Sequence, residues 1–387
     1  MKLKLISILS LCLLFVSAVT GCSPASDFNS QLSKITKPYQ FSMFNWEVGA
    51  ITGTIKQSIS GPDVTVNDTQ TVLDYFADIR NNRQPSAVRT DETEKIIELQ
   101  IRSVLNQEGI TNPFAGRLSF LKFHFPPVDF TLSKPPFILV ISPRDKIQET
   151  KSVMLEQNLT TKQMEAIETA ADKLGVSALV VEIGGLGVTF PTFVNYETSL
   201  HYAINAATEE WLHQYLAFTP LGSRYVLDLL GISTNYDIVT MNETVASMTA
   251  DEIGGMVYDK YYAAIDPENQ PTNSNGSGSA PAFDFNAAMR QIRVNVDTML
   301  AAGQIDQAEA YMNQQRDYLQ TQGYDIRKLN QAYFAFNGSY AEGPTSVNPI
   351  GAQIVGIRAA APSLAKFLNE ISRVTSTSGL NYLPGNQ

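Results

Sequence analysis

The sequence predicts a helix-rich α+β protein, and three observations carry that expectation. Apolar residues recur at helical spacing through both flanks of the chain. Residues 118–142 are rich in Phe, Val, Leu and Ile and are punctuated by Pro126-Pro127 and Pro135-Pro136, the pattern of short strands. The compact run Ala178–Ile183 is strand-like and ends at Gly184-Gly185. The chain has 387 residues, of which 44% are hydrophobic, which argues against general disorder and suggests about two domains. Its 38 acidic residues outweigh 28 Lys and Arg, for a formal charge of -10. Nucleic acid is therefore a poor partner, because phosphate contacts need clustered cations. No apolar run after residue 21 is long enough to span a bilayer.

The N-terminus sets an expected compartment. Met1-Lys2-Leu3-Lys4 is a short positive start, and Leu5–Val19 is an apolar run too short for a transmembrane helix. Residues 1–21 read as a signal peptide. Val19-Thr20-Gly21-Cys22 resembles the bacterial lipobox, which implies cleavage before Cys22 and acylation of its thiol. The expectation is an extracytoplasmic lipoprotein held to the cell membrane or outer membrane. Cys12 falls inside the signal, so a lipidated Cys22 leaves no thiol for catalysis, for a disulfide or for a cysteine zinc site. Residues 22–38 are mostly polar and read as a tether.

The elements follow in order. Phe41, Phe44, Trp46 and Val48 suggest a helix over 39–48, and 61–68 is a break. Helices are expected over Thr71–Arg80 and over Glu92–Leu105, the second starting at Thr90-Asp91-Glu92 with Ile97, Ile101, Val104 and Leu105 as its stripe. After the strands of 118–142, Lys162–Leu174 is a helix that follows Thr160-Thr161. Tyr196–Phe218 contains no Gly or Pro; Leu200, Ile204, Ala207, Trp211, Tyr215 and Leu216 give one long amphipathic helix that stops before Pro220. A second long helix spans Met241–Tyr262, with Gly254-Gly255 as a candidate bend. Residues 265–282, rich in Asn, Gly, Ser and Pro, read as a flexible linker between a mixed region, 39–264, and a helical C-terminal region, 283–387. Helices are expected there over Phe285–Ala301, Ile305–Gln322, Ile326–Phe336 and Ser363–Arg373.

The segment with chemistry in it is Ala207–Gln214, ATEEWLHQ. Glu209 and His213 stand one turn apart, offset by about 40° around a helix, so both face the same way. Zinc peptidases of the H-E-x-x-H type need that geometry: two ligands one turn apart hold the metal, and the Glu beside the first activates water. Here the five residues read E-E-W-L-H. On the next long helix, Met241–Ser247 reads MNETVAS and offers Glu243.

On these residues the sequence resembles the gluzincin-type zinc metallopeptidases, in particular bacterial aminopeptidase-like lipoproteins. EEWLHQYLAFTPLG and NETVASMTADEIG carry the match, and RKLNQAYFAFNGSYAEGPTSVNPIG (327–351) is similar to the Asn- and Tyr-bearing C-terminal helix of such proteins. The resemblance implies a zincin-like core with a helical C-terminal region, and a Zn²⁺ cofactor held by Glu209, His213 and Glu243. Glu209 fills the position where the family has its first His. It also implies Glu210 as the general base, and a peptide or protein as substrate. Tyr333 and Tyr340 are candidate oxyanion donors, with aromatic packing as the competing account. Ser247, one turn after Glu243, is a candidate to orient a ligand, or a small packing residue. His201 stands about 12 Å along the helix from Glu209, too far to share an ion. His124, in LKFHFPP, belongs to the strand region. Gly184–Gly187 is either an edge for peptide addition or a plain turn, and it lacks the Lys-Ser/Thr of a phosphate loop. The alternative function is a binding or structural lipoprotein that keeps the scaffold without catalysis, motivated by Glu at 209.

Overall fold

The structure is a computed structural model that describes residues 24–41, 64–114, 124–186, 189–229, 232–266, 283–341 and 343–386. Cys22, the signal peptide, nearly all of the helix expected over 39–48 and almost all of the linker lie outside the described residues.

The tether reading of 22–38 does not hold for its described part. Pro24–Thr36 forms a helix, α1. Its composition is polar, yet Phe28, Leu32 and Ile35 recur at helical spacing and pack with Leu155, Leu159 and Ile167. Helices α2 (Thr69–Arg80) and α3 (Ala87–Gln107) follow. α3 begins before the expected Thr90-Asp91-Glu92 signal, because Ser86 is the residue whose side chain caps it, accepting from the Arg89 N–H.

The described strands form two three-stranded sheets. The first, in the order β3-β2-β4, is antiparallel throughout: β2 (Phe137–Pro143) pairs with β3 (Lys151–Leu155) and β4 (Val176–Glu182). Helix α4 (Thr161–Asp172) connects β3 to β4 and opens with a reciprocal Thr160–Gln163 capping box. The second sheet has the order β1-β6-β5. There β1 (Phe130–Leu132) runs parallel to β6 (Thr192–Val194), and β5 (Gly185–Leu186) runs antiparallel to it.

Helix carboxylates close two sheet edges. Along β1, the N–H groups of Phe130 and Leu132 donate to Glu98 and Glu94 of α3 at 3.4 and 2.6 Å. Along β4, the N–H groups of Ala178 and Val180 donate to Asp172 and Glu168 of α4 at 2.9 and 2.7 Å. These acidic side chains stand where another strand would otherwise pair.

Helix α5 (Leu200–Ala217) is capped by Ser199, and α7 (Tyr236–Tyr261) by Asn235, several residues before the expected start at Met241. The helix α6 (Pro220–Leu229) lies between them. Pro220 was expected only to end α5; it also begins α6, where its missing N–H costs nothing. α7 runs through Gly254-Gly255 as one continuous helix, and a Cβ on Gly254 would collide with the Asn205 side chain of α5. The glycine serves close helix–helix approach.

The C-terminal region contributes α8 (Phe285–Ala301), α9 (Ile305–Thr321), α10 (Gln331–Asn337), α11 (Pro349–Ala360), α12 (Leu364–Ile371) and α13 (Thr377–Leu380). Helices α8 and α9 build their own core around Met289, Val296, Met312 and Leu319. By contrast, Ile350, Ile354, Phe367 and Ile371 of α11 and α12 join the central core with Ile204, Leu212, Val245 and Ile253 of α5 and α7. The expected boundary at the linker therefore does not separate two cores: the last helices return to the first. No helix among the described residues is long and apolar enough to cross a membrane.

Candidate metal centre

The roll of α5 about its axis decides which residues face inward. Trp211 is buried and its Nε1–H donates to the Pro126 carbonyl at 2.9 Å. Gln214 donates to the Thr189 carbonyl at 2.8 Å, and the Tyr215 hydroxyl to the Asn112 carbonyl at 3.4 Å. With the apolar stripe of Ile204, Ala207, Trp211 and Leu212 fixed in the core, Glu209 and His213 share the half-buried face toward α7.

There they meet Glu243. One ligand atom each from Glu209, His213 and Glu243 lies within 4.8 Å of the others. His213 Nε2 and Glu243 Oε2 are 3.4 Å apart, the separation of roughly 3.4 Å that two donors of a tetrahedral centre show at bond lengths near 2.1 Å. Glu209 Oε1 is buried and has no hydrogen-bond partner. A buried carboxylate oxygen without a donor is costly, and a cation would satisfy it. The residues present therefore fit a divalent metal ion.

The surroundings hold each ligand. Tyr225 of α6 donates its hydroxyl to Glu243 Oε1 at 2.7 Å and stacks on the His213 ring, centroids 5.7 Å apart. Tyr340, on the loop after α10, adds a second hydrogen bond to Glu243. That loop is anchored by the Ala341 N–H, which donates to Thr244 Oγ1 at 3.1 Å. Asn242 brings its side-chain amide to 3.0 Å from His213 Nδ1, while its own Oδ1 is buried without a partner. A half-turn of that amide would put its carbonyl oxygen on the Nδ1–H, leaving Nε2 as the nitrogen that would bind a cation in place of its proton.

The electrostatics are those of a carboxylate cluster around one imidazole. Burial pushes Glu209 up to about 8, against the pull of His213 and with Glu210 and Glu243 adding to it. Burial works against a charged His213, yet Glu243, Glu210 and Glu209 outweigh it and bring the imidazole to about 9. Burial would raise Glu243, but His213 and the Tyr225 and Tyr340 hydroxyls hold it below the usual carboxylate range. Both tyrosines are raised well above the ordinary phenol range, first by burial and then by Glu243, so they remain donors.

Glu210 faces β5. A Cβ on Gly185 would occupy the space of the Glu210 carboxylate, and one on Gly184 the space of the Tyr202 hydroxyl. Both glycines let the strand approach α5 closely. Among the described residues β5 pairs on one side only, with β6.

The other expected residues lie apart or play smaller parts. Ser247 is buried and donates to the Thr244 carbonyl at 3.3 Å. Tyr333 is not brought to the centre: it packs against the α8–α9 core and the Val140–Leu179 face of the sheet. His124 Nε2 lies 3.0 Å from Asn106 Oδ1, and His201 packs edge-on against Tyr258. Sequence reasoning missed Tyr225, because α6 itself was not expected. It also missed Glu149 in the β2–β3 turn. Burial lifts this carboxyl to about 7, Ser152 lowers it, and Glu243 and Asp228 raise it further. No local pattern marks Glu149; the hairpin alone brings it near.

No protein-family model, curated protein or solved structure matches this chain, so its centre is understood from the residues that form it.

Proposed function

We propose that this protein is a zincin-like, metal-dependent hydrolase that cleaves peptide bonds outside the cytoplasm, held to a membrane by lipid on Cys22. The observation that carries the proposal is the convergence of Glu209, His213 and Glu243 around a buried carboxylate oxygen that no protein group bonds. When bound, Zn²⁺ supplies a Lewis acid that polarises a carbonyl and makes water more acidic. Glu209, His213 and Glu243 hold it. Glu210 takes one proton from the attacking water as the oxygen adds to the peptide carbonyl carbon. The same carboxyl returns that proton to the amine nitrogen as the C–N bond breaks. Gly185 keeps Glu210 against the strand, and Tyr225 keeps Glu243 oriented. Tyr340, which hydrogen-bonds Glu243, is the candidate donor to the developing oxyanion once its one hydroxyl proton swings from that carboxylate. The open side of β5 is where an extended peptide would add its main chain.

One preparation tests the reading. Metal content and hydrolysis of a mixed peptide library are measured for the native chain and for Glu210→Gln. The expected result is one zinc ion in both, with hydrolysis in the native chain reduced by about 10²-fold or more in the variant. Protein that stays metal-free after zinc addition, or equal hydrolysis by both chains, refutes the enzyme reading and favours a non-catalytic binding or structural lipoprotein.

A further inference from the structure

Oxygen dominates the donor set at this centre. Glu209 and Glu243 are carboxylates, and only His213 supplies nitrogen. Carboxylate oxygens suit harder divalent cations such as Mn²⁺, whereas imidazole suits Zn²⁺. The two carboxylates are not equivalent. Glu243 already accepts from Tyr225 at 2.7 Å and from Tyr340, and those donors draw off part of its charge. Glu209 Oε1 accepts from nothing and is buried. Glu209 Oε1 is therefore the ligand oxygen with no competing hydrogen-bond donor, free to give its full donor strength to a cation, at the position where a second imidazole would make the set nitrogen-rich. Glu210 is a further acidic group acting on His213.

We propose that Glu209 sets the metal selectivity of this centre, narrowing its preference for Zn²⁺ over Mn²⁺ so that a hard, oxygen-seeking divalent cation binds at the same three residues. The proposal rests on the metal-centre reading above. It concerns the ratio of affinities, because the general order of divalent ions still places zinc ahead of manganese in absolute terms.

Metal-stripped full-length protein is titrated at one pH with Zn²⁺ alone and with Mn²⁺ alone. Competition with a chromophoric chelator reads both ions, and loss of the free-ion electron paramagnetic resonance signal reads manganese directly. Wild type, Glu209→His and Glu209→Gln are compared. The Mn²⁺-to-Zn²⁺ ratio of dissociation constants is expected to rise by about tenfold or more in Glu209→His, and by roughly threefold or more in Glu209→Gln, since both remove the hard anionic donor. Thermal melting checks that each variant folds; if Glu209→His does not, the nearly isosteric Glu209→Gln decides by its own threshold. A ratio that is unchanged or lower overturns the inference and leaves the metal centre standing. Wild-type protein that binds neither ion overturns both.

Discussion

Glu94 offers the sharpest quantitative test of the fold. Its carboxyl is buried in α3, accepts the Leu132 N–H at 2.6 Å and the Thr131 hydroxyl at 3.2 Å, and is pushed by burial from 4.5 up to about 8. The Leu132 bond opposes that rise, and Glu98 and Asp91 add to it. A raised carboxyl is protonated in the fold and ionised in the unfolded chain through the interval between those two values. Stability from this group is therefore complete below about pH 4.5 and is lost as pH climbs through 8. Each unit is worth about 1.4 kcal/mol, so the loss reaches about 3 kcal/mol near pH 7. Glu94→Gln keeps an acceptor for Leu132 and removes the ionisation. Urea melts of both chains between about pH 4 and pH 9 measure the difference. The variant is expected to gain on the wild type by about 3 kcal/mol between pH 4 and pH 7, and to level off above 8. A constant offset from altered packing leaves the reasoning intact. A difference that does not change with pH, or that moves against the variant as pH rises, refutes it.

Three further outcomes are expected. Gly185→Ala displaces the Glu210 carboxylate, so hydrolysis falls by about 10²-fold while zinc binding, measured by calorimetry, is unchanged. Zinc at 100 times its dissociation constant stabilises the native chain by about 2.7 kcal/mol in thermal melts, and His213→Ala abolishes that gain. Arg327 forks onto the buried Glu168 at 2.6 and 2.8 Å and onto the Val180 carbonyl at 2.8 Å. Arg327→Met leaves that acid with the Val180 N–H at 2.7 Å and Lys328 at 3.7 Å as partners, and costs about 3 kcal/mol by urea denaturation.

What the sequence made legible was periodicity. The stripe of α5, the start of α4 at Thr160-Thr161 and the extent of α8 were readable from local spacing, and so was the shared face of Glu209 and His213. What it hid was context. Pro220 stops one helix and starts another, and only tertiary packing shows the second role; Tyr225 went unseen with it. Helix α11 carries Gly351 and Gly356, poor helix formers on propensity. Both glycines are there because backbone crowds them, Ala341 at the first and Gly385 at the second. Tyr333 and Tyr340 were equivalent by composition; the loop after α10 turns only the latter toward Glu243. Nothing local in the sequence announces that Glu94, Glu98 and Glu168 will meet a strand edge.

Those sealed margins restrict where a stranger can join. Glutamates finish β1, α4 acids finish β4, and β3 is hemmed by the stretch after α1: Gln40 bridges Leu155, and the Glu156 N–H donates to the Tyr39 carbonyl at 2.8 Å. Among the described residues β5 pairs only with β6, and Glu210 packs against it. On the proposed function, an extended backbone that adds to β5 would lie beside Glu210. Acidic side chains along β1 and β4 occupy N–H groups that another copy's strand would need, while the unpaired side of β5 is where, on the proposed function, a guest chain would meet Glu210.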